Sequence, residues 1–173
     1  MWMKLLGSVL VVGSCTGMGL GEVKRLKDRR KLLETIRRMM FHLKGEILYA
    51  NAPLSCGLRR TGKRGSGWAA ELFAAAAEEL ERENGDSFEI IWQRQVERFS
   101  ENTVLTASDL KSLLRFGMNL GYLDRDMQEK TIQLYLEDLE LAIGQLQKEE
   151  PDKSRLFFGM GILGGLFLTV ILL

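Results

Sequence analysis

Leu33-Glu-Thr-Ile36-Arg-Arg-Met-Met40-Phe-His-Leu43-Lys-Gly-Glu-Ile47 decides the fold class of this chain. Apolar residues return through 33, 36, 40, 43 and 47 at steps of three and four, and Leu26 joins the row one longer step upstream. That spacing is the period of one face of an α-helix, and the polar residues between mark a face turned to water. The helix should stop near Asn51-Ala-Pro53, because the residue before a proline is pushed out of the helical region. Pro53 itself suits the first turn of a new, short helix.

The same period continues downstream. Gly62-Lys-Arg-Gly-Ser-Gly67 reads as a flexible basic loop, followed by an alanine-rich helix over residues 68–83 with Leu72, Phe73, Ala76 and Leu80 on one side. Asn84-Gly85 is its stop signal. Asp86-Ser-Phe-Glu89 has capping-box spacing and opens a helix burying Phe88, Ile91, Trp92, Val96 and Phe99. Thr106-Ala-Ser-Asp109 is a second such start, leading into Leu110, Leu113, Leu114 and Phe116, with Gly117 and Leu120-Gly121 as its end. Asp124 can cap a last helix whose stripe is Ile132, Tyr135 or Leu136, Leu139, Ile143 and Leu146, and Pro151 punctuates after it. No stretch sustains the period-two alternation of a strand. The expectation is an all-α body of about six helices over residues 23–155.

Two uncharged apolar segments flank that body. Residues 5–21 and 156–173 contain 17 and 18 residues, enough to reach roughly 25–27 Å at about 1.5 Å per residue, just spanning a bilayer core. They predict transmembrane helices over 1–22 and 156–173. The second has no polar face to turn to water, which argues against a buried core helix. Six basic residues, Lys24, Arg25, Lys27, Arg29, Arg30 and Lys31, follow the first span with only Asp28 among them, whereas Lys4 alone precedes it. The positive-inside rule then puts both ends in the membrane and the body in the cytoplasm. The chain is +1 overall, so outside this cluster of net +5 the balance is about −4. Such local basicity suits anionic lipid headgroups; nucleic acid would want a broader basic face.

Val12-Gly-Ser-Cys15 supports a competing reading, a lipid-anchored extracytoplasmic helical binding module acylated at Cys15. It would require six basic residues to be translocated directly after cleavage. Cys15 and Cys56 are the only cysteines, so no disulfide framework is implied.

Catalytic chemistry is hard to find. His42 is the only histidine, which removes histidine-based metal sites and any helical Glu-x-x-His pair. Gly57-Leu-Arg-Arg-Thr-Gly62-Lys63-Arg64 has the glycine spacing and lysine of a P-loop. It places Arg64 where the magnesium-binding Ser or Thr belongs, and no strand precedes it, so it reads as a linker. The acidic runs at Glu78-Glu79-Glu81 and Glu137-Asp138-Glu140 read as solvated helix faces. These features predict no enzyme, no cofactor, no metal and no small-molecule substrate. The spans offer packing instead: Gly13, Gly17 and Gly21 recur every four residues, as do Gly161 and Gly165, a spacing that lets helix backbones approach in lipid.

The order of features resembles the stage III sporulation protein AB family of endospore-forming bacteria. The resemblance is carried by the N-terminal span, the basic membrane-proximal helix, Pro53-Leu54, Gly85 with Trp92 downstream, and a glycine-rich C-terminal span. Its most specific element is Phe116-Gly117-Met-Asn-Leu120-Gly121-Tyr-Leu-Asp124-Arg-Asp-Met-Gln128. The resemblance implies a six-helix bundle like the cytoplasmic domain of type II secretion inner-membrane platform proteins. It further implies a non-enzymatic platform subunit of a channel between mother cell and forespore, in the mother-cell membrane facing the forespore. Other channel subunits and a secretion-ATPase-like protein would be its partners, with room for a homo-oligomer. The Gly117–Gln128 string would then be a helix corner, glycines for the tight turn and Asp124 as the cap. The basic, glycine-rich segment from Arg59 to Gly67 departs from the family pattern.

Overall fold

The computed structural model describes the backbone of residues 2–50, 52–82, 85–120 and 125–172. Side chains are described from 21 onward, save those gaps and 125, 154, 157, 158, 160–162 and 164–173. Among the described residues six helices follow in order: α1 Trp2–Leu48, α2 Leu54–Arg64, α3 Gly67–Glu81, α4 Phe88–Ser100, α5 Ala107–Leu120 and α6 Arg125–Leu172. Among the described residues there is no strand, and no helix is long and apolar enough to cross a membrane. The expected spans at 5–21 and 156–173 fall almost wholly on residues whose side chains lie outside the described ones.

Two compact units emerge, one of residues 31–143 and one of residues 1–30 with 144–173. In the first, the α1 row Leu33, Ile36, Met40, Leu43 and Ile47 is buried, as its period requires. The α6 row Ile132, Leu136, Leu139 and Ile143 is buried too, and Tyr135 joins Leu136 inside. Each such side chain contributes about 1.5–3 kcal/mol when it leaves water, so matching apolar stripes drive the bundle. Burial also pushes the Tyr135 phenol well above its ordinary pKa, with the carboxylates of Asp109 and Asp138 adding to the effect.

Helix starts follow the sequence with one shift. Thr106 and Asp109 form a reciprocal box: the Thr106 backbone N–H donates to Asp109 Oδ2 at 2.8 Å, and the Asp109 N–H donates to Thr106 Oγ1 at 3.3 Å. At α4 the cap is Ser87, whose hydroxyl accepts from the Ile90 N–H. Asp86, the expected cap, takes Arg94 Nη2 at 2.9 Å instead. Adjacent Asp and Ser compete for one role, and the carboxylate has the better partner in a guanidinium.

The basic, glycine-rich stretch is not a flexible loop. α2 runs through Gly62, Lys63 and Arg64, leaving only Gly65 and Ser66 before α3. A Cβ on Gly62 would lie 3.1 Å from both the Ala70 carbonyl oxygen and the Ala74 nitrogen, so this glycine lets α2 and α3 nearly touch. Glycine costs a helix about 1 kcal/mol relative to alanine, which close packing here offsets. Gly67 opens α3 at φ 67°, a left-handed conformation that favours glycine. Pro151 likewise lies inside α6 rather than ending it. It withholds one donor from the Gln147 carbonyl at a cost of about 3 kcal/mol, while the bond from Arg30 to Glu150 (2.9 Å) clamps the adjoining turn.

Candidate functional site

Two places carry residues singled out above, and a third lies elsewhere on α1. The first is the corner string. Phe116, Gly117 and Leu120 occupy the last turns of α5 and are buried. Gly121 and Asp124 lie outside the described residues, and Gln128 Nε2 reaches back to the Leu120 carbonyl at 3.5 Å, meeting an orphan acceptor at a helix C-terminus.

Gly117 does not make a turn, since it sits within α5. Trp92, fully buried on α4, lays its indole across it: a Cβ on Gly117 would fall 1.9 Å from Trp92 Cδ1 and 2.3 Å from Cγ. The missing side chain lets the indole N–H reach the Leu113 carbonyl at 2.9 Å. Phe73, Phe88 and Phe116 surround the same ring, each with centroids 5.6 Å away, and Phe116 stacks on Tyr135 at 5.0 Å. Phe116 and Gly117 thus act as packing devices that fix α5 against α4 and α6. Sequence reasoning had both Trp92 and Gly117 in hand but nothing to join residues so far apart.

The second place is the stem, where α1 and α6 run beside each other in the unit of residues 1–30 and 144–173. Lys24 and Arg25 are exposed. Arg30 Nε bonds Glu150 Oε2 at 2.9 Å, and Lys27 approaches Glu150 at 3.9 Å. The basic cluster is therefore divided, part facing solvent and part neutralised by α6. The hydrogen bond from Lys153 holds Glu149 below the usual carboxylate range, with the charges of Lys153 and Arg29 acting the same way. Glu149 thus stays ionised as pH falls toward the ordinary glutamate pKa, and its pairing is lost only below that. Of the proposed packing glycines, Gly21 is exposed, and a Cβ there would meet nothing within 4 Å. The side chains at 13, 17, 161 and 165 lie outside the described residues.

The third place is a groove on the outer side of α1 that sequence reasoning missed. Phe41, Gly45 and Tyr49 recur every four residues, and with His42, Glu46 and Arg64 they line a cavity of about 440 Å³. Glu46 at its base is buried and accepts from Arg60 at 2.9 Å, with Arg64 at 3.4 Å. The spacing of 41, 45 and 49 was legible, but a second stripe opposite a core stripe has no stated purpose in a sequence. His42 is exposed at the rim. The P-loop-like string is helical, with Gly57 packed against Leu43 Cδ1, where a Cβ would come within 3.3 Å. Among the described residues no group of three or more His, Cys, Asp or Glu is placed to hold a metal.

Comparison with known proteins follows the same outline. The model of the family described as stage III sporulation protein AB matches residues 4–173. Stage III sporulation protein AB of Bacillus subtilis (strain 168) is 28% identical over 171 residues, covering 99% of both chains. A solved structure of stage III sporulation protein AB superposes with a TM-score of 0.66 at 26% identity, covering 72% of this chain and 98% of that one.

Proposed function

Because this chain belongs to the stage III sporulation protein AB family, we propose that it is a non-enzymatic platform subunit of a secretion-like channel between mother cell and forespore. A role in sporulation follows from membership. The platform reading adds an architecture, with both apolar ends in the mother-cell membrane that faces the forespore and the helical bundle in the cytoplasm. The observation that carries it is the stem. Arg30 and Glu150 join antiparallel α1 and α6, so the uncharged segments at 5–21 and 156–173 leave the stem side by side. Two uncharged apolar segments held in one unit, with six basic residues beside one of them, support a membrane anchor for the bundle. Burial in the 31–143 unit is given over to packing, with Gly117 and Gly62 spent on close approach rather than on ligands, which supports a scaffold. Other channel subunits and a secretion-ATPase-like protein are its proposed partners, and the glycine rows at 13, 17, 21 and at 161, 165 its proposed contacts within lipid.

Affinity purification of the full chain from sporulating cells in mild detergent tests this. Other membrane subunits and a secretion-type ATPase should co-purify in defined ratio. Gly17→Leu should reduce their yield several-fold while the chain still accumulates in the membrane, and Val11→Leu, off the glycine row, should not. Recovery of the wild-type chain alone would overturn the platform reading.

A further inference from the structure

The outer faces of α1 and α6 carry exposed apolar side chains, Phe41 among them with the Arg37 guanidinium 5.5 Å from its ring centroid. On α1 these are Phe41, 52% exposed, and Tyr49, 88% exposed. Gly45 lies between them, and a Cβ there would meet nothing within 4 Å, so the groove floor is open. On α6 they are Leu134, 64% exposed, and Leu141, 68% exposed, seven residues apart and on the side opposite the core row Ile132, Leu136 and Leu139. Exposed apolar side chains clustered in this way mark interaction surfaces more often than single ones do.

The two faces match in height and in charge. Lys44 pairs with Glu129 at 3.3 Å and bonds Gln133 at 3.0 Å, and Arg37 pairs with Glu140 at 3.7 Å. The helices therefore run antiparallel, with Leu134 level with the 41–45 stretch of α1 and Asp138 level with Arg38. Arg38 lines an adjoining hollow that shares His42 and Arg64 with the α1 groove, so that side is basic, and the buried acid of the groove, Glu46, is already taken by Arg60 and Arg64. The α6 face is acidic through exposed Glu137 and Asp138, which bond only the uncharged Gln133 and Ser112 among the described residues.

We infer that the α1 groove of one copy receives the Leu134–Leu141 face of α6 from a second copy, and the reverse, about a two-fold axis parallel to the helices. Such an isologous contact sets residues of equal height against each other. Leu134 enters the groove beside Gly45 and Phe41, and Asp138 meets Arg38, twice per dimer. Two chains anchored in one membrane must keep the same orientation toward it, which this axis preserves and a perpendicular two-fold reverses. The inference deepens the platform reading and rests on it only for the direction of the axis.

The test is the mass of the full chain in detergent by multi-angle light scattering across a concentration series. The wild type should be a dimer. Arg38→Asp should weaken association about tenfold or more by setting like charges against each other at two places. The swap Arg38→Asp with Asp138→Arg should restore it. Gly45→Trp, which fills the groove without touching the core, should also give monomer. At concentrations low enough for every chain to be monomeric, each variant should keep the wild-type melting temperature. A monomeric wild type, a swap that fails to restore association, or a dimer indifferent to both single changes would overturn the inference; the last would place self-association in the membrane glycines. Platform failure would show instead as loss of co-purifying subunits, which dimer dissociation does not predict.

Discussion

Replacing Gly117 with alanine is expected to be among the most damaging small changes in this protein, although alanine is the better helix former by about 1 kcal/mol. The added Cβ would fall 1.9 Å from Trp92 Cδ1 and 2.7 Å from Nε1, well inside van der Waals contact. The indole must move, and Phe73, Phe88 and Phe116 leave it nowhere to go without distortion. Overpacking of this kind costs about 1–3 kcal/mol, and losing the buried bond to Leu113 adds about 1–3 more. The net loss should be about 2–4 kcal/mol. It would be read as a lowered midpoint in guanidinium unfolding of the full chain in detergent, followed by far-UV circular dichroism. A Gly117→Ala chain as stable as wild type would mean that the indole does not occupy this place.

Trp92→Ala should cost more, about 3–5 kcal/mol, since a fully buried indole at the junction of three other aromatic rings is lost and its cavity cannot collapse. For a domain stable by about 5–15 kcal/mol this is a large fraction of the whole. Trp92→Phe should lose less, because a ring remains and the Leu113 carbonyl keeps its helical donor. The two positions should also be strongly coupled. In the Trp92→Ala background, Gly117→Ala should become neutral or stabilising, since its Cβ then enters vacated space. Additive losses in that double-mutant cycle would show that the two residues act independently.

The pair explains why part of the architecture was legible in the sequence and part was not. The rows at 33–47 and 132–146 declare themselves because helical period is a local signal, and the Thr106–Asp109 box does so because its two partners are three residues apart. Gly117 could not be read in this way. A glycine near a helix end looks like a turn, and only the arrival of Trp92 from α4 shows that it is a seat for a ring. Gly62 was misread for the same reason: glycine, lysine and arginine in succession look like solvent-exposed loop, whereas the backbone of α3 at 3.1 Å makes glycine the residue that fits. Pro151 follows the reverse pattern, a strong local stop signal overridden where Arg30 holds the flanking turn. The groove of Phe41, Gly45 and Tyr49 had a helical period of its own, but no composition rule distinguishes an unused apolar stripe from an interface.

Orientation bears most directly on the platform reading. Ser66 lies exposed between α2 and α3, where a cysteine introduced into a Cys15→Ser, Cys56→Ser chain would be open to reagents. Retention of the basic cluster on the inner side of the membrane predicts that this cysteine is shielded from a membrane-impermeant maleimide in intact cells and reacts fully once they are permeabilised. Equal labelling in intact and permeabilised cells would set the body outside, contradict the cytoplasmic platform, and return Cys15 to consideration as a lipid attachment point.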